Sequence, residues 1–170
     1  KKIMMEQSKA YNLQYDFNAI HLLMINLYGP GDDFNLETSH VIPAMIRKMS
    51  SAHQKNENNI VLWGDGSPSR EFLYVTDAAN AILNCMMNYN SPKPINIGNG
   101  KEISIMVLAE KIKKITGFSG EIIWDNSKPN GQPRRCLDIS VLEKQLGFKS
   151  QIEFDQGLVN TYNYYLSKIK

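Results

Sequence analysis

Nothing in this chain approaches the length of a membrane-crossing helix. Its longest apolar stretch, Ala19 to Leu27, is interrupted by His21 and Asn26 and reaches less than half of what a bilayer requires. The first residues lack the basic, apolar and small-residue succession of a secretory signal, so a soluble cytoplasmic protein with no membrane partner is expected. Cysteine is scarce. Cys85 and Cys136 are too few for a disulfide framework and too far apart for a zinc or dithiol motif, so reduced thiols are expected. Neither sign of charge dominates: 19 Lys and Arg against 17 Asp and Glu leave a net +2. No basic cluster is interleaved with stacking aromatics, which argues against nucleic acid as a partner. The G-x-G-x-x-G fingerprint of a dinucleotide-binding turn is also absent.

What is present suits a packed core. Hydrophobic residues make up 42% of the 170 residues and charged residues 21%, a globular balance fitting one domain or a lobe of a larger protein. Residues 3–15 read as a helix, and Asp16-Phe17-Asn18 as a turn. Ala19 to Leu27 reads as one buried strand of a parallel sheet. Tyr28-Gly29-Pro30-Gly31-Asp32-Asp33 ends it in a loop. Ser39 is placed to cap a helix over 40–51, with Pro43 in its first turn. Strands follow at 60–63 and 70–75, separated by the turn Gly64-Asp65-Gly66-Ser67-Pro68. Thr76 is placed to cap a helix over 77–88, and Ile95 to Gly98 forms a brief strand. Ser104 opens a helix to about Gly117, whose Ile105, Leu108, Ala109, Ile112 and Ile115 share one face. A strand at 121–124, a Pro/Gly-rich loop at 125–135 and helices over 140–146 and 154–169 complete an α/β alternation. The chain opens inside its first helix with no cap before it, as expected of a part of a longer protein.

Among groups that carry chemistry, His40 stands at the start of a helix. A helix amino terminus disfavours added positive charge and so suits a neutral imidazole acting as a base; a plain capping or surface histidine fits the same position. His21, inside an apolar strand, reads as a core histidine with its hydrogen bonds satisfied, and His53 as a solvated residue of a polar linker. Trp63, beside a turn and followed by Arg70, offers a planar face next to a guanidinium that can fork across phosphates; a core tryptophan and a surface ion pair are the plainer alternative. Lys128, Arg134 and Arg135 share one loop with Asp125 as the only nearby acid, an arrangement suited to a diphosphate or simply to solvent.

The order of these segments is more specific than any one of them. Asn26-Leu27-Tyr28-Gly29-Pro30, Ser39-His40-Val41-Ile42-Pro43-Ala44, Trp63-Gly64-Asp65-Gly66, Arg70-Glu71-Phe72-Leu73-Tyr74-Val75-Thr76-Asp77 and Asn96-Ile97-Gly98-Asn99-Gly100 resemble the extended short-chain dehydrogenase/reductases acting on nucleotide sugars. The Ser-His-Val-Ile-Pro block and Ser127-Lys128-Pro129-Asn130-Gly131-Gln132-Pro133-Arg134-Arg135 narrow the resemblance to the GDP-L-fucose synthase family, and it spans essentially the whole chain.

That resemblance implies the carboxyl-terminal part of a Rossmann-type fold with a small mixed α/β substrate-binding lobe. Residues 1–28 would be the last helix and strand of the NADP-binding domain and 29–170 mainly the substrate lobe, with about 70–98 returning to the Rossmann sheet. It implies a GDP-sugar substrate, NADPH as cofactor and a homodimer when intact. His40 falls on the family's epimerisation histidine, and Lys1 on the lysine of its Tyr-x-x-x-Lys pair. Both would also face the cofactor. Asn26, Leu27, Val41, Lys48, Trp63, Arg70, Lys128 and Arg134 fall on or near substrate-binding positions. Lys48 departs from the family's arginine there and offers a point charge in place of a fork. The tyrosine, serine, cysteine and glycine loop that complete the family's machinery fall before residue 1, and neither Cys85 nor Cys136 stands where that cysteine should. The chain alone is therefore expected to be inactive, with an exposed sheet edge and uncovered apolar faces. A 4-epimerase or 4,6-dehydratase of the same superfamily, and a non-catalytic nucleotide-sugar-binding fragment, are the alternatives.

Overall fold

A computed structural model of the chain describes residues 2–169. The elements in order are α1 (Lys2–Tyr15), β1 (Leu22–Met24), β2 (Asn26–Tyr28), α2 (Val41–Gln54), β3 (Asn59–Trp63), β4 (Ser69–Tyr74), α3 (Val75–Asn88), β5 (Ile95–Ile97), β6 (Glu102–Ser104), α4 (Ile105–Thr116), β7 (Glu121–Asp125), β8 (Arg134–Arg135), α5 (Ser140–Leu146) and α6 (Phe154–Lys168). This is a mixed α/β architecture with parallel pairing between β1 and β5, β2 and β4, and β3 and β7.

β4 is the wall between two cores. Side chains alternate along a strand, so Phe72 and Tyr74 enter one core with Ile42, Ile46, Leu108, Ile112 and Leu158, while Leu73 enters the other with Ile25, Ala81, Ile95, Ile97 and Leu142. Residues 71–74 are all buried, as expected of a strand covered on both faces.

The uninterrupted strand expected over 19–27 is instead two strands with different partners. β1 pairs with β5, the Ile25 N–H donates to Ile97 O at 3.1 Å, and β2 then pairs with β4. One extended segment is thus handed from one neighbour to the next. Two caps also differ from expectation. His40, not Ser39, occupies the N-cap of α2 and makes no side-chain cap bond. α3 starts at Val75 with Tyr74 as its cap residue, so Thr76 lies inside it. Asp77 is buried in its first turn, and its Oδ2 accepts Ile152 N–H at 3.0 Å, which diverts it to a distant segment. Ser104 does cap α4, its Oγ accepting the Val107 N–H at 3.2 Å. β6 and β8, absent from the sequence reading, pair with β4 in antiparallel and parallel sense. His53 lies in the last turn of α2 and not in a linker. His21 lies just before β1; its backbone carbonyl accepts Ile95 N–H at 2.9 Å, yet its Nε2 has no partner among the described residues, so it is not a satisfied core histidine.

Apolar surface is left open. α1 buries none of its described residues, with Ile3 and Leu13 more than four-fifths exposed, and α3 presents Ile82, Leu83, Met86 and Met87 to the outside.

Candidate functional site

Strand β3 ends in the aromatic platform of the site. Its alternation turns Ile60 and Leu62 inward and Asn59, Val61 and Trp63 outward, leaving Trp63 68% exposed. Trp63 therefore does not fill the core. Lys128 Nζ lies 5.9 Å from the centre of its ring, a cation–π arrangement. The turn after Trp63 is stitched to the β7–β8 loop: Gly64 N–H donates to Asp125 O at 3.0 Å, and Asp65 N–H to Asn130 Oδ1 at 2.9 Å. A side chain at Gly64 would strike the Asn130 carboxamide, which accounts for a glycine there. Carbonyls of Gly66 and Pro68 accept the first N–H groups of α4, at Met106 and Ile105, so that helix start is saturated by the turn.

The Asp65 carboxylate is held below its ordinary pKa by Ser67, through side chain and backbone, and by Asn130. A depressed acid contributes order that is complete above its unfolded value and is lost as pH falls through the lower folded value. Acid titration followed by the Ser67 amide signal, whose N–H donates to Asp65 Oδ1 at 2.8 Å, should thus show a midpoint below the usual aspartate range near about 3.9. A midpoint at or above that range would mean the turn is not held by this carboxylate.

A cleft of about 320 Å³ opens between β2, the start of α2, the end of β3 and the β7–β8 loop, lined by Asn26, Leu27, His40, Val41, Trp63, Arg70 and Asn130 among others. Six residues singled out from the sequence thus meet at one place. A second cavity of about 450 Å³, lined by Met24–Asp32, His40 and Val75, lies at the carboxyl ends of β1 and β2 and shares Asn26, Leu27 and His40 with the first. Its location beyond the carboxyl ends of parallel strands is where open α/β sheets bind ligands.

Arg70 is half-buried in β4. Its Nη1 donates to Ser69 O at 2.7 Å, and no carboxylate among the described residues pairs with it. Asn26 spends its amide on Glu71 O at 3.0 Å. Tyr28 lines the second cavity, but its hydroxyl donates to Phe154 O at 3.3 Å, and burial first, then Tyr74, Asp77 and Asp155, push its pKa far above the ordinary phenol value. It is a packing residue whose hydroxyl is committed to Phe154 O.

Lys128 reaches Trp63 without lining the cleft, and two further residues named from the sequence stand outside it. Lys48 lies on the flank of α2 in a separate groove with Arg47 and Lys55, where its Nζ donates to Val61 O at 3.2 Å. Arg134 Nε is paired with the Glu102 carboxylate at 2.9 Å, so its charge is already answered. Lys1 falls outside the described residues. Conversely, Asn130 was not singled out as a site residue, because only the fold brings the β7–β8 loop under Trp63.

Glu71 was missed for the same kind of reason. It is fully buried, and its Oε1 accepts the N–H groups of Asn99 at 2.6 Å and Gly100 at 2.8 Å, while Oε2 accepts that of Leu137 at 2.7 Å. Asn99 Nδ2 returns a bond to Phe72 O at 2.9 Å. The Arg70–Asp77 and Asn96–Gly100 blocks are therefore two halves of one clasp, with a predominantly architectural role.

The parallel strands and the cavity at their carboxyl ends define an α/β ligand-binding fold, and the chain belongs to the NAD dependent epimerase/dehydratase family, whose model matches residues 1–98. It is 43% identical over 161 residues to the "Probable GDP-L-fucose synthase 1" of Oryza sativa subsp. japonica, covering 95% of this chain and 49% of that protein. It is 39% identical to the GDP-L-fucose synthase of Escherichia coli (strain K12), covering 93% of this chain and 52% of the relative. Among solved structures, a GDP-L-fucose synthetase from Naegleria fowleri bound to NADP superposes with a TM-score of 0.90 at 30% identity, covering 99% of this chain and 55% of that one. The chain spans about half the length of the curated relatives it matches.

Proposed function

We propose that this chain is the GDP-sugar-binding portion of an NADPH-dependent epimerase-reductase that turns a GDP-4-keto-6-deoxymannose into GDP-L-fucose. The observation that carries this reading is the convergence of Asn26, Leu27, His40, Val41, Trp63 and Arg70 on one cleft. Trp63 offers its exposed face to a planar base, with Lys128 beside it, and Arg70 supplies for a diphosphate a guanidinium that no carboxylate among the described residues pairs. His40, at the junction of the two cavities, is the group that moves protons at the sugar carbons flanking the ketone.

Residues 1–28 and about 70–98 belong to the cofactor-binding sheet in this reading, and the rest mainly to the substrate lobe. NADPH, when bound, supplies the hydride for reduction at carbon 4. The cavity beyond β1 and β2 fits its approach, since Met24, Leu27, Pro30 and Val75 give an apolar wall for a planar ring and His40 stands at its edge. Lys1 and His40 are assigned to the cofactor by the family resemblance, and of the two it is His40 that lines this cavity. The whole protein acts as a cytoplasmic homodimer in this reading, in which the exposed faces of α1 and α3 are covered.

Calorimetric titration with GDP, using UDP and dTDP as controls, tests the proposal. Selective GDP binding is expected, weakened roughly tenfold or more by Arg70→Ala, about the loss of one charge-assisted contact. Equal binding of all three nucleotides, or an Arg70→Ala variant that binds GDP unchanged, would overturn the assignment.

A further inference from the structure

Strand β8 consists of two arginines, and they point to opposite faces of the sheet. In register, Arg134 stands beside Ser69 and Arg135 beside Arg70. Paired residues of neighbouring strands share a face, and successive residues of one strand alternate. The side-chain contacts agree with this. Arg134 Nε donates to the Glu102 carboxylate at 2.9 Å, and the Ser69 hydroxyl donates to that same carboxylate at 2.8 Å. Ser69, Glu102 and Arg134 therefore occupy one face, to which alternation also assigns Glu71. Arg70 and Arg135 occupy the other, together with Ile103 of β6 and Phe72 of β4.

Charge is divided between the two faces. β4, β6 and β8 contain two carboxylates, both on the Glu71 face and both engaged. Glu71 accepts three backbone N–H groups, and Glu102 is held by Ser69 and Arg134. The Arg70 face carries two guanidiniums on paired positions and no carboxylate from these strands. Neither Arg70 nor Arg135 has an ion-pair partner among the described residues. Like charges on paired positions repel. Neighbouring strands run about 4.8 Å apart, close enough for the two side chains to share one anion that removes the repulsion.

This face is the one that opens into the cleft, since Arg70 and Phe72 both line it. The loop entering β8 runs close by. A β-carbon on Gly131 would stand 3.6 Å from Arg70 Nη2, and Pro133 O accepts the Ser69 N–H at 2.9 Å. Arg135 is exposed and stands beside the cleft wall without forming part of it, so its side chain has room to turn inward.

We propose that Arg135 is the second guanidinium of a diphosphate clamp, closing with Arg70 on the two phosphates of the nucleotide. It takes the role that motif order gave to Arg134, whose charge is spent on the opposite face. The proposal rests on the GDP-sugar reading of the cleft. A guanidinium binds phosphate oxygens through paired N–H bonds, so two of them can divide a diphosphate, one phosphate to each.

Calorimetric titration of this chain with GDP and with inorganic pyrophosphate tests the clamp. Arg135→Gln should weaken both ligands by a similar factor, roughly tenfold, the loss of one charge-assisted contact. Arg134→Gln removes the same charge from the neighbouring position and should change either affinity by less than about twofold. Unchanged binding of both ligands by Arg135→Gln, an equal loss in Arg134→Gln, or a loss confined to GDP would each overturn the proposal. So would failure of both ligands to bind. GDP binding that depends on Arg70 and not on Arg135 would keep the GDP reading and remove the clamp. Pyrophosphate binding that depends on Arg135, with no preference for GDP over UDP, would keep the clamp and remove the reading.

Discussion

Glu71→Ala is expected to cost this chain most of its stability, on the order of 3–6 kcal/mol, against the roughly 5–15 kcal/mol that holds a typical domain together. The substitution removes one fully buried side chain but strands the three backbone N–H groups it serves, at Asn99, Gly100 and Leu137. It also cuts the link between β4, the loop after β5 and the segment before α5. Glu71→Gln should be milder, because its carbonyl can still serve Asn99 and Gly100, while its amide would face the Leu137 N–H donor to donor. Gly98→Ala attacks the same clasp from the other side, since a β-carbon there would collide with Glu71 Oε1. Urea denaturation followed by circular dichroism measures all three. A loss below about 1 kcal/mol for Glu71→Ala would show that the stranded amides find other partners.

His40→Ala is expected to have the largest effect on chemistry. In a full-length protein carrying these residues, it should reduce solvent-deuterium incorporation into the 4-keto sugar by about 10²–10⁴-fold, the usual contribution of a positioned acid or base. Binding of GDP should change little, because Trp63 and Arg70 lie on other elements and keep their places without the imidazole. Reduction of a sugar that needs no epimerisation should also survive. Undiminished deuterium uptake in His40→Ala would take the residue out of the mechanism.

Much of this was legible in the sequence, for reasons that can be named. Helix α4 carried both a strong apolar face and a Ser104 cap whose geometry is local, and both appear as read. The outward turn of Trp63 follows from simple alternation in β3, once Ile60 and Leu62 are taken as core. The illegible features depend on partners far away in the chain. The break between β1 and β2 follows no local signal; it occurs where Ile25 passes from β5 to β4. β6 and β8 are too short for a periodic pattern and exist because the edges of β4 need pairing. Ser39 is of a type that caps helices, but its hydroxyl is buried without a partner among the described residues while His40 takes the cap position. In the site, motif order located the residues of the cleft, whereas the place of Asn130 depends on how a distant loop folds back.

The handover of one extended segment between two neighbours also shapes how the chain must be made. During synthesis, Leu22–Tyr28 leaves the ribosome well before either partner exists, since β4 begins at Ser69 and β5 at Ile95. At about 5–20 residues per second, that apolar stretch waits several seconds for β4 and β5. Nascent chains in this interval are the ones a chaperone should capture. Slowing translation between Tyr28 and Ser69 should therefore lower the soluble yield, even though the finished protein is unchanged.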